Sequence, residues 1–358
     1  MNNQDIKLGV SLYSYQDNYY FHKHDLEGCI AAAAGAGADG IEVFADSMIR
    51  EWPYVSDAFV DHWNGMMTRY GIEPVCMDHF SDRAMWHDRQ LTDDELFERS
   101  VLYIKTAARL GCHMVRILHN EHIGLGISPY RLTDCGIVER LLPIAQENNV
   151  MMALECHYPT SIASPLHQQY LDAAERLGIP NVGLQADFSS YEYCISMADV
   201  GCEVRNSGVN EEVLLCMREK QRECYREERG FHLEEFMPDI MKLNPTENDL
   251  EAVKRLGRNQ GPYGDNKEFS YETLKEYASK LVYVHGKFYD IDENGEVDSM
   301  DYHKIFQALI EGGYKGYISS EFEGNRRMND AGWVDEIEYV RKHHVLMRKC
   351  LGRPEEIA

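Results

Sequence analysis

Short apolar runs recur along the chain, and most are preceded by a stretch with helical periodicity that closes on glycine. Gly37-Ala-Asp-Gly leads into Ile41-Glu-Val-Phe, and Gly71 precedes Ile72-Glu-Pro-Val-Cys-Met. Leu110-Gly-Cys leads into His113-Met-Val-Arg-Ile-Leu, and Gly312-Gly-Tyr-Lys into Gly316-Tyr-Ile. Glycine after a helix accepts the left-handed cap at low steric cost. With Leu8-Gly-Val-Ser-Leu at the start, the pattern predicts eight strands, near 7–13, 41–45, 73–78, 113–118, 150–155, 182–187, 281–285 and 316–321. Thr92 with Glu95 reads as a capping box opening a helix that runs to about Arg109. Strands alternating with helices predict a parallel sheet, and eight of them predict a (β/α)₈ TIM barrel filling residues 1–358 as a single domain. An open doubly wound sheet is disfavoured, because no G-x-G-x-x-G follows the first strand.

One interval breaks the rhythm. Residues 190–275, between strands six and seven, carry charged helical patterns from Glu211 to Arg229 and from Glu247 to Leu256, then a Gly/Asn/Pro-rich stretch at Gly257–Asn266. An inserted helical subdomain is expected there, either a solvated decoration or a lid or subunit contact over the catalytic face.

Four strand ends carry candidate chemistry. Glu155 closes strand five, Asp187 strand six, His285 strand seven and Glu321 strand eight. If these strands are adjacent and parallel, the four side chains share one rim. Carboxylates facing one another repel unless a cation lies between them, and one divalent metal is the simplest remedy. Three hard oxygen ligands with one nitrogen suit Mn²⁺ first and Mg²⁺ next, with Zn²⁺ or Fe²⁺ also compatible. His157 follows Glu155 by two residues, on the same strand face. It is either a general base or a rim histidine bonding substrate. His79 and His119, each directly following a strand, are substrate-contact candidates. Arg116 inside strand four suits either a substrate oxygen or a buried carboxylate, and the ion pair is the preferred reading. Asp290-Ile-Asp292-Glu-Asn294-Gly295 imitates the start of a calcium loop, but a strand precedes it and Asp301 stands at position twelve, so a polar loop is expected.

Composition narrows the partners. The net charge of −24 argues against nucleic acid and acidic membranes. The ten cysteines form no C-x-x-C pair, and several lie inside apolar runs, as expected of reduced thiols in the cytoplasm. The polar start, Met1-Asn-Asn-Gln-Asp, lacks the pattern of a signal peptide, and no apolar run approaches the ~18 residues of a membrane span.

With these residues in view, the chain resembles the xylose-isomerase-like barrels of sugar isomerases and epimerases. That resemblance rests on Ala-Leu-Glu155-Cys-His157, Val-His285-Gly-Lys287-Phe-Tyr-Asp290 and Ile-Ser-Ser-Glu321-Phe-Glu323-Gly. It implies that Glu155, Asp187, His285 and Glu321 hold one Mn²⁺ or Mg²⁺, with no nucleotide cofactor. Two features depart from many relatives. Asp187 is followed by Phe188-Ser-Ser190 rather than Gly-His, and a ligand shifted two residues along strand seven would fall on Lys287. A protonated lysine cannot ligate a cation, so His285 is the better ligand; the resemblance leaves Lys287 and Glu323 as substrate-binding candidates.

Within that group the chain is most similar to the larger, catalytic subunits of bacterial C-glycoside deglycosidases, through Glu155-x-His157, the Lys287-Phe-Tyr-Asp290 loop and the long insertion. The resemblance implies a metal-dependent lyase that cleaves the C–C glycosidic bond of 3-oxo-glucosyl C-glycosides, His157 abstracting the C2 proton. A metal-dependent sugar isomerase or epimerase working through an enediolate is the alternative. The rim shows no aromatic cluster for a flat ring outside the 190–275 segment. The resemblance accordingly implies a hetero-oligomer in which a smaller β-rich subunit completes the site for a small sugar substrate.

Overall fold

The computed structural model describes residues 5–83, 86, 88–118, 135–259 and 261–354. Eight strands close into one barrel in chain order: β1 (Ile6–Ser11), β2 (Gly40–Val43), β3 (Glu73–Phe80), β4 (Met114–Leu118), β5 (Met151–Cys156), β6 (Val182–Asp187), β7 (Leu281–Phe288) and β8 (Gly316–Phe322). Every neighbouring pair is parallel, and β1 pairs with β8, so no edge is left open. That closure excludes the open doubly wound sheet.

The outward strand faces and the surrounding helices share the main core, to which Val10, Ile41, Met77, Ile117, Leu154, Leu184 and Ile318 contribute. The inward faces build a smaller one from Val75, Cys76, Ala153, Tyr283 and Tyr317. There the Tyr283 hydroxyl lies 2.6 Å from Ser319 Oγ. Gly9 makes this filling possible, since a Cβ at that position would come within 2.3 Å of Ser319 Oγ. The barrel is plugged below, so its open end lies at the carboxyl ends of the strands, where such barrels place their chemistry.

Local signals held. Thr92 and Glu95 form the reciprocal capping box at the start of helix Asp93–Arg109. Gly71 ends helix Asp57–Tyr70 with φ +62°. β7 runs past its expected end to Phe288, because Gly286-Lys287-Phe288 stays in register with Ser320-Glu321-Phe322. Lys287 therefore shares the inward face of β7 with His285.

Between β6 and β7 lie helices Met197–Ser207, Glu211–Arg226, Leu233–Met241 and Glu247–Leu256. They pack on a separate apolar cluster that includes Val200, Val213, Leu214, Met217, Phe236, Ile240 and Val253. Polar contacts tie this unit to the loops after β7 and β8. Arg218 pairs with Asp298 at 3.0 Å, Tyr225 donates to Asp301 at 2.8 Å, and Arg205 pairs with Asp330 at 2.9 Å. The insertion is thus fastened to the same rim that carries the strand-end carboxylates. Among the described residues nine cysteines are free thiols, and no helix is long and apolar enough to cross a membrane.

Candidate active site

The four strand-end residues converge. One ligand atom each from Glu155, Asp187, His285 and Glu321 falls within 4.8 Å of all the others, and all four side chains are buried. Register explains part of this, because Asp187 on β6 lies opposite His285 on β7. Strand alternation turns all four inward.

His285 is the hub. Its Nδ1 lies 3.0 Å from Glu155 Oε1 and 2.9 Å from Glu321 Oε2. Its Nε2 lies 3.1 and 3.0 Å from the two oxygens of Glu42. Ser11 Oγ donates to Glu42 Oε1 at 2.6 Å. Burial works against a charged imidazole here, yet Glu321, Glu42 and Glu155 together hold the His285 pKa well above the usual histidine range.

Arg116 is the second fixed cation. It sits 2.5 Å from Asp78 and 2.8 Å from Glu155 Oε2, completely buried. Burial opposes ionisation of Glu155, but Arg116 and His285 keep its carboxyl well below the ordinary range. The expected ion pair of Arg116 is present, with Asp78 and Glu155 as partners. Lys287 supplies the third positive charge. Its Nζ lies 2.9 Å from Glu321 Oε2, 3.1 Å from Glu323 Oε1 and 3.6 Å from Asp187 Oδ2.

The donor set fits a divalent cation. Among the described residues, six carboxylates, Glu42, Asp78, Glu155, Asp187, Glu321 and Glu323, share ion pairs with just three cationic side chains, Arg116, Lys287 and His285. Asp187 Oδ1 accepts the Ser189 backbone N–H at 2.7 Å, whereas its Oδ2 is buried and accepts no hydrogen bond. Burial pushes the Asp187 carboxyl up despite the pull of Lys287. A buried oxygen left in that condition is a free ligand position. Glu155, Asp187, His285 and Glu321 are the residues that could hold the ion.

His157 lies just past β5, half-buried, and contributes to the field felt by both Asp187 and Glu323. Its Nδ1–H donates to the Tyr158 carbonyl at 2.7 Å. In the neutral ring this leaves Nε2 as the unprotonated nitrogen.

Two other histidines fare differently. His79 does not reach the barrel mouth. It is fully buried, lies 2.9 Å from Ser100 Oγ and stacks on Tyr103 at 4.0 Å. The inward position on β3 belongs to Asp78, so parity sends His79 into the helix layer. This corrects its expected substrate contact. His119 lies outside the described residues. The Asp290–Gly295 segment is a polar loop, as expected, with Asp292 accepting the backbone N–H groups of Asn294 and Glu296 at 2.8 and 3.0 Å.

The sequence reading missed Glu42 and Asp78. Each is a lone carboxylate inside an apolar run, in Ile41-Glu-Val and Met77-Asp-His, and that isolation was the available signal. It also missed an aromatic group on the rim. The rings of Tyr13, Phe44 and Phe80, placed after β1, after β2 and at the end of β3, lie with centroids 5.5, 5.6 and 6.1 Å apart. The expectation of a rim without an aromatic cluster is corrected accordingly.

Comparison with known proteins agrees with this fold. Residues 30–193 match the xylose isomerase-like TIM barrel family. The chain is 31% identical over 348 residues to the C-glycoside deglycosidase alpha subunit of Arthrobacter globiformis, covering 97% of this chain and 92% of that one. It is 30% identical over 366 residues to the 3'-dehydrocarminate deglycosidase alpha subunit of a Microbacterium species, covering 98% and 96%. Among solved structures, the D-allulose 3-epimerase of a Methylomonas species superposes with a TM-score of 0.54 at 14% identity, covering 96% of this chain and 98% of that one. At that identity the likeness speaks for the fold alone.

Proposed function

Because the chain belongs to the family of C-glycoside deglycosidase alpha subunits, we propose that it is the catalytic subunit of a divalent-metal-dependent lyase that cleaves the C–C glycosidic bond of 3-oxo-glucosyl C-glycosides. The observation that carries this reading is the buried convergence of Glu155, Asp187, His285 and Glu321 beside a histidine whose Nδ1 is held by the Tyr158 carbonyl. Mn²⁺ is the preferred ion and Mg²⁺ the next, for the hard-oxygen character of the ligands.

A ketone at sugar C3 makes the C2 proton acidic. His157 Nε2 takes that proton, with the ring held in the required tautomer by the Tyr158 carbonyl. A divalent cation on the four ligands would supply Lewis-acid stabilisation of the charge that develops on the C3 oxygen. Lys287 and Glu323 present a donor and an acceptor at the same rim and orient the sugar hydroxyls. The C1–C2 double bond then forms as the bond from C1 to the aglycone carbon breaks. The electron pair of that bond goes to the aglycone carbon, which takes up a proton. One proton leaves C2 and one is delivered, so no water and no redox cofactor is consumed. A separate oxidoreductase must install the ketone.

The alpha-subunit names of the relatives support a second chain in the assembly. We place a smaller β-rich subunit beside the catalytic rim, with the insertion between β6 and β7 as part of its contact surface. The test is incubation of the Mn²⁺-loaded chain, alone and with its co-expressed partner, with a 3-oxo-glucosyl C-arene in D₂O. Aglycone release is expected, strengthened by the partner. Deuterium uptake at C2 with a returned, epimerised sugar and no aglycone would overturn the reading in favour of a sugar epimerase.

A further inference from the structure

A lyase of this kind needs a wall for the departing aromatic group. The ring should be held so that its bond to C1 lies in line with the forming double bond, in surroundings poor in water. In a closed eight-strand ring, β1 stands opposite β5, the strand that leads to His157, with β2 and β3 next along the same arc. A sugar lying between them presents its C1 substituent to one side or the other.

The β1–β3 side is aromatic. Tyr13 and Phe44 meet edge to face with ring planes 60° apart, and Phe44 and Phe80 do so at 61°. Phe44 and Phe80 are half-buried while their neighbours Val43 and Met77 are sealed in the core. The group abuts the charge cluster at two points. The Arg116 guanidinium that pairs with Glu155 also lies 4.7 Å over the Phe80 ring. Tyr13 sits in the field of Glu323, Lys287 and Glu321, and Arg326 lies 4.9 Å over its ring. The apolar wall thus starts where the ion-holding side chains end. Two of its rings carry guanidinium groups that fix their planes.

We propose that Tyr13, Phe44 and Phe80 form the aglycone subsite, so that this chain itself, rather than only a partner, holds the flat aromatic group next to sugar C1. The proposal rests on the lyase reading above. A competing wall exists on the other side of the mouth, where a cavity of about 220 Å³ is lined by Tyr158, Pro159 and Phe269 with Asn259 and Asn266. It is lined by the residues that follow His157 and borders none of the strand-end carboxylates.

The test compares two substrates on the enzyme purified with its partner subunit. One is a 3-oxo-glucosyl C-arene, followed by aglycone release. The other is the same 3-oxo sugar with hydrogen at C1, followed by deuterium exchange at C2. An aromatic contact of this kind is worth about two- to twelve-fold. Phe44→Leu and Phe80→Leu should each lower the ratio of arene release to C2 exchange by about two- to twelve-fold, mainly through KM. Phe80→Tyr, which keeps the ring, should restore most of the ratio and shows that the loss is not a folding defect. An unchanged ratio in both leucine variants would overturn the subsite. So would a fall in the ratio produced by Tyr158→Ala instead. Failure of the wild-type enzyme to exchange C2 in either sugar would instead bring down the lyase reading on which the subsite rests.

Discussion

Glu42 Oε2 lies 3.0 Å from Nε2 of His285, on the opposite side of the ring from Glu155 and Glu321. The carboxylate accepts the Nε2–H, and Ser11 in turn donates to that carboxylate. This arrangement leaves Nδ1 as the nitrogen available to a metal. Glu42 thus orients His285 from the far side of the barrel. Removing such a partner typically weakens metal binding ~10–100-fold. Glu42→Leu should show that loss in competition with a chelator, and Glu42→Gln, which keeps an acceptor oxygen, a smaller one. Equal affinity in both variants and the wild type would show that His285 needs no such support.

The ligands themselves should behave as a set. Asp187→Asn and Glu321→Gln preserve shape while each removes one negative charge from the shell. Metal analysis of the purified proteins should find about one Mn²⁺ per wild-type chain and far less in either variant. The stabilisation by added Mn²⁺ seen in thermal melts should vanish in parallel, because a ligand that binds only the folded state raises stability by mass action. Full occupancy in both variants would place the ion elsewhere.

His157 bears on the reaction and not on the ion. His157→Ala should retain the metal yet lose ~10²–10⁴ in turnover, the usual cost of removing a general base. Solvent deuterium should no longer enter C2 of the 3-oxo sugar. Normal exchange in this variant would move the base to another side chain.

The Arg116 contacts make a prediction about stability. The side chain is sealed between Asp78 and Glu155. Arg116→Met leaves Asp78 buried without a cation and Glu155 with His285 alone, and breaking a buried pair typically costs ~3–5 kcal/mol. Arg116→Met combined with Asp78→Asn should recover part of it. Urea melts of the two variants decide this, and equal stability of the single variant and the wild type would contradict it.

A pair of histidines in the last helix sets an acid limit. His344 is fully buried, lies 3.1 Å from the Gly9 carbonyl, and burial lowers its pKa to about 4. His343 beside it is also pushed well below the usual range, by burial and by His344. The unfolded chain takes up protons near the ordinary 6.5 while the folded one does not. Stability from His344 is therefore complete above pH 6.5 and is lost as the pH falls from there to about 4. The full span is worth up to about 3 kcal/mol. His344→Gln, which keeps a donor for Gly9, should flatten the melting temperature between pH 6.5 and 4.5 relative to the wild type. Parallel profiles would refute it.

Much of this protein was legible in the chain by itself. Strand period, the glycines that close helices and the Thr92–Glu95 box are local, and local sterics and capping decide them wherever the chain goes. The same holds for Glu155, Asp187, His285 and Glu321, since each lies toward the carboxyl end of its own strand and parallel strands put those ends on one rim. What closure alone decided is which residues from distant strands meet. Glu42, backed by Ser11, reaches His285 only because β1 pairs with β8 and brings the first strands round to face the last, whereas Asp78 meets Arg116 as its register partner on the next strand. Parity decided the rest. An inward Asp78 forces His79 outward onto Tyr103, whereas Tyr13, Phe44 and Phe80, far apart in sequence, are brought ring to ring on one arc of the rim. A strand's own pattern shows which of its residues share a face. Which groups stand across from that face is set by the register of the closed barrel.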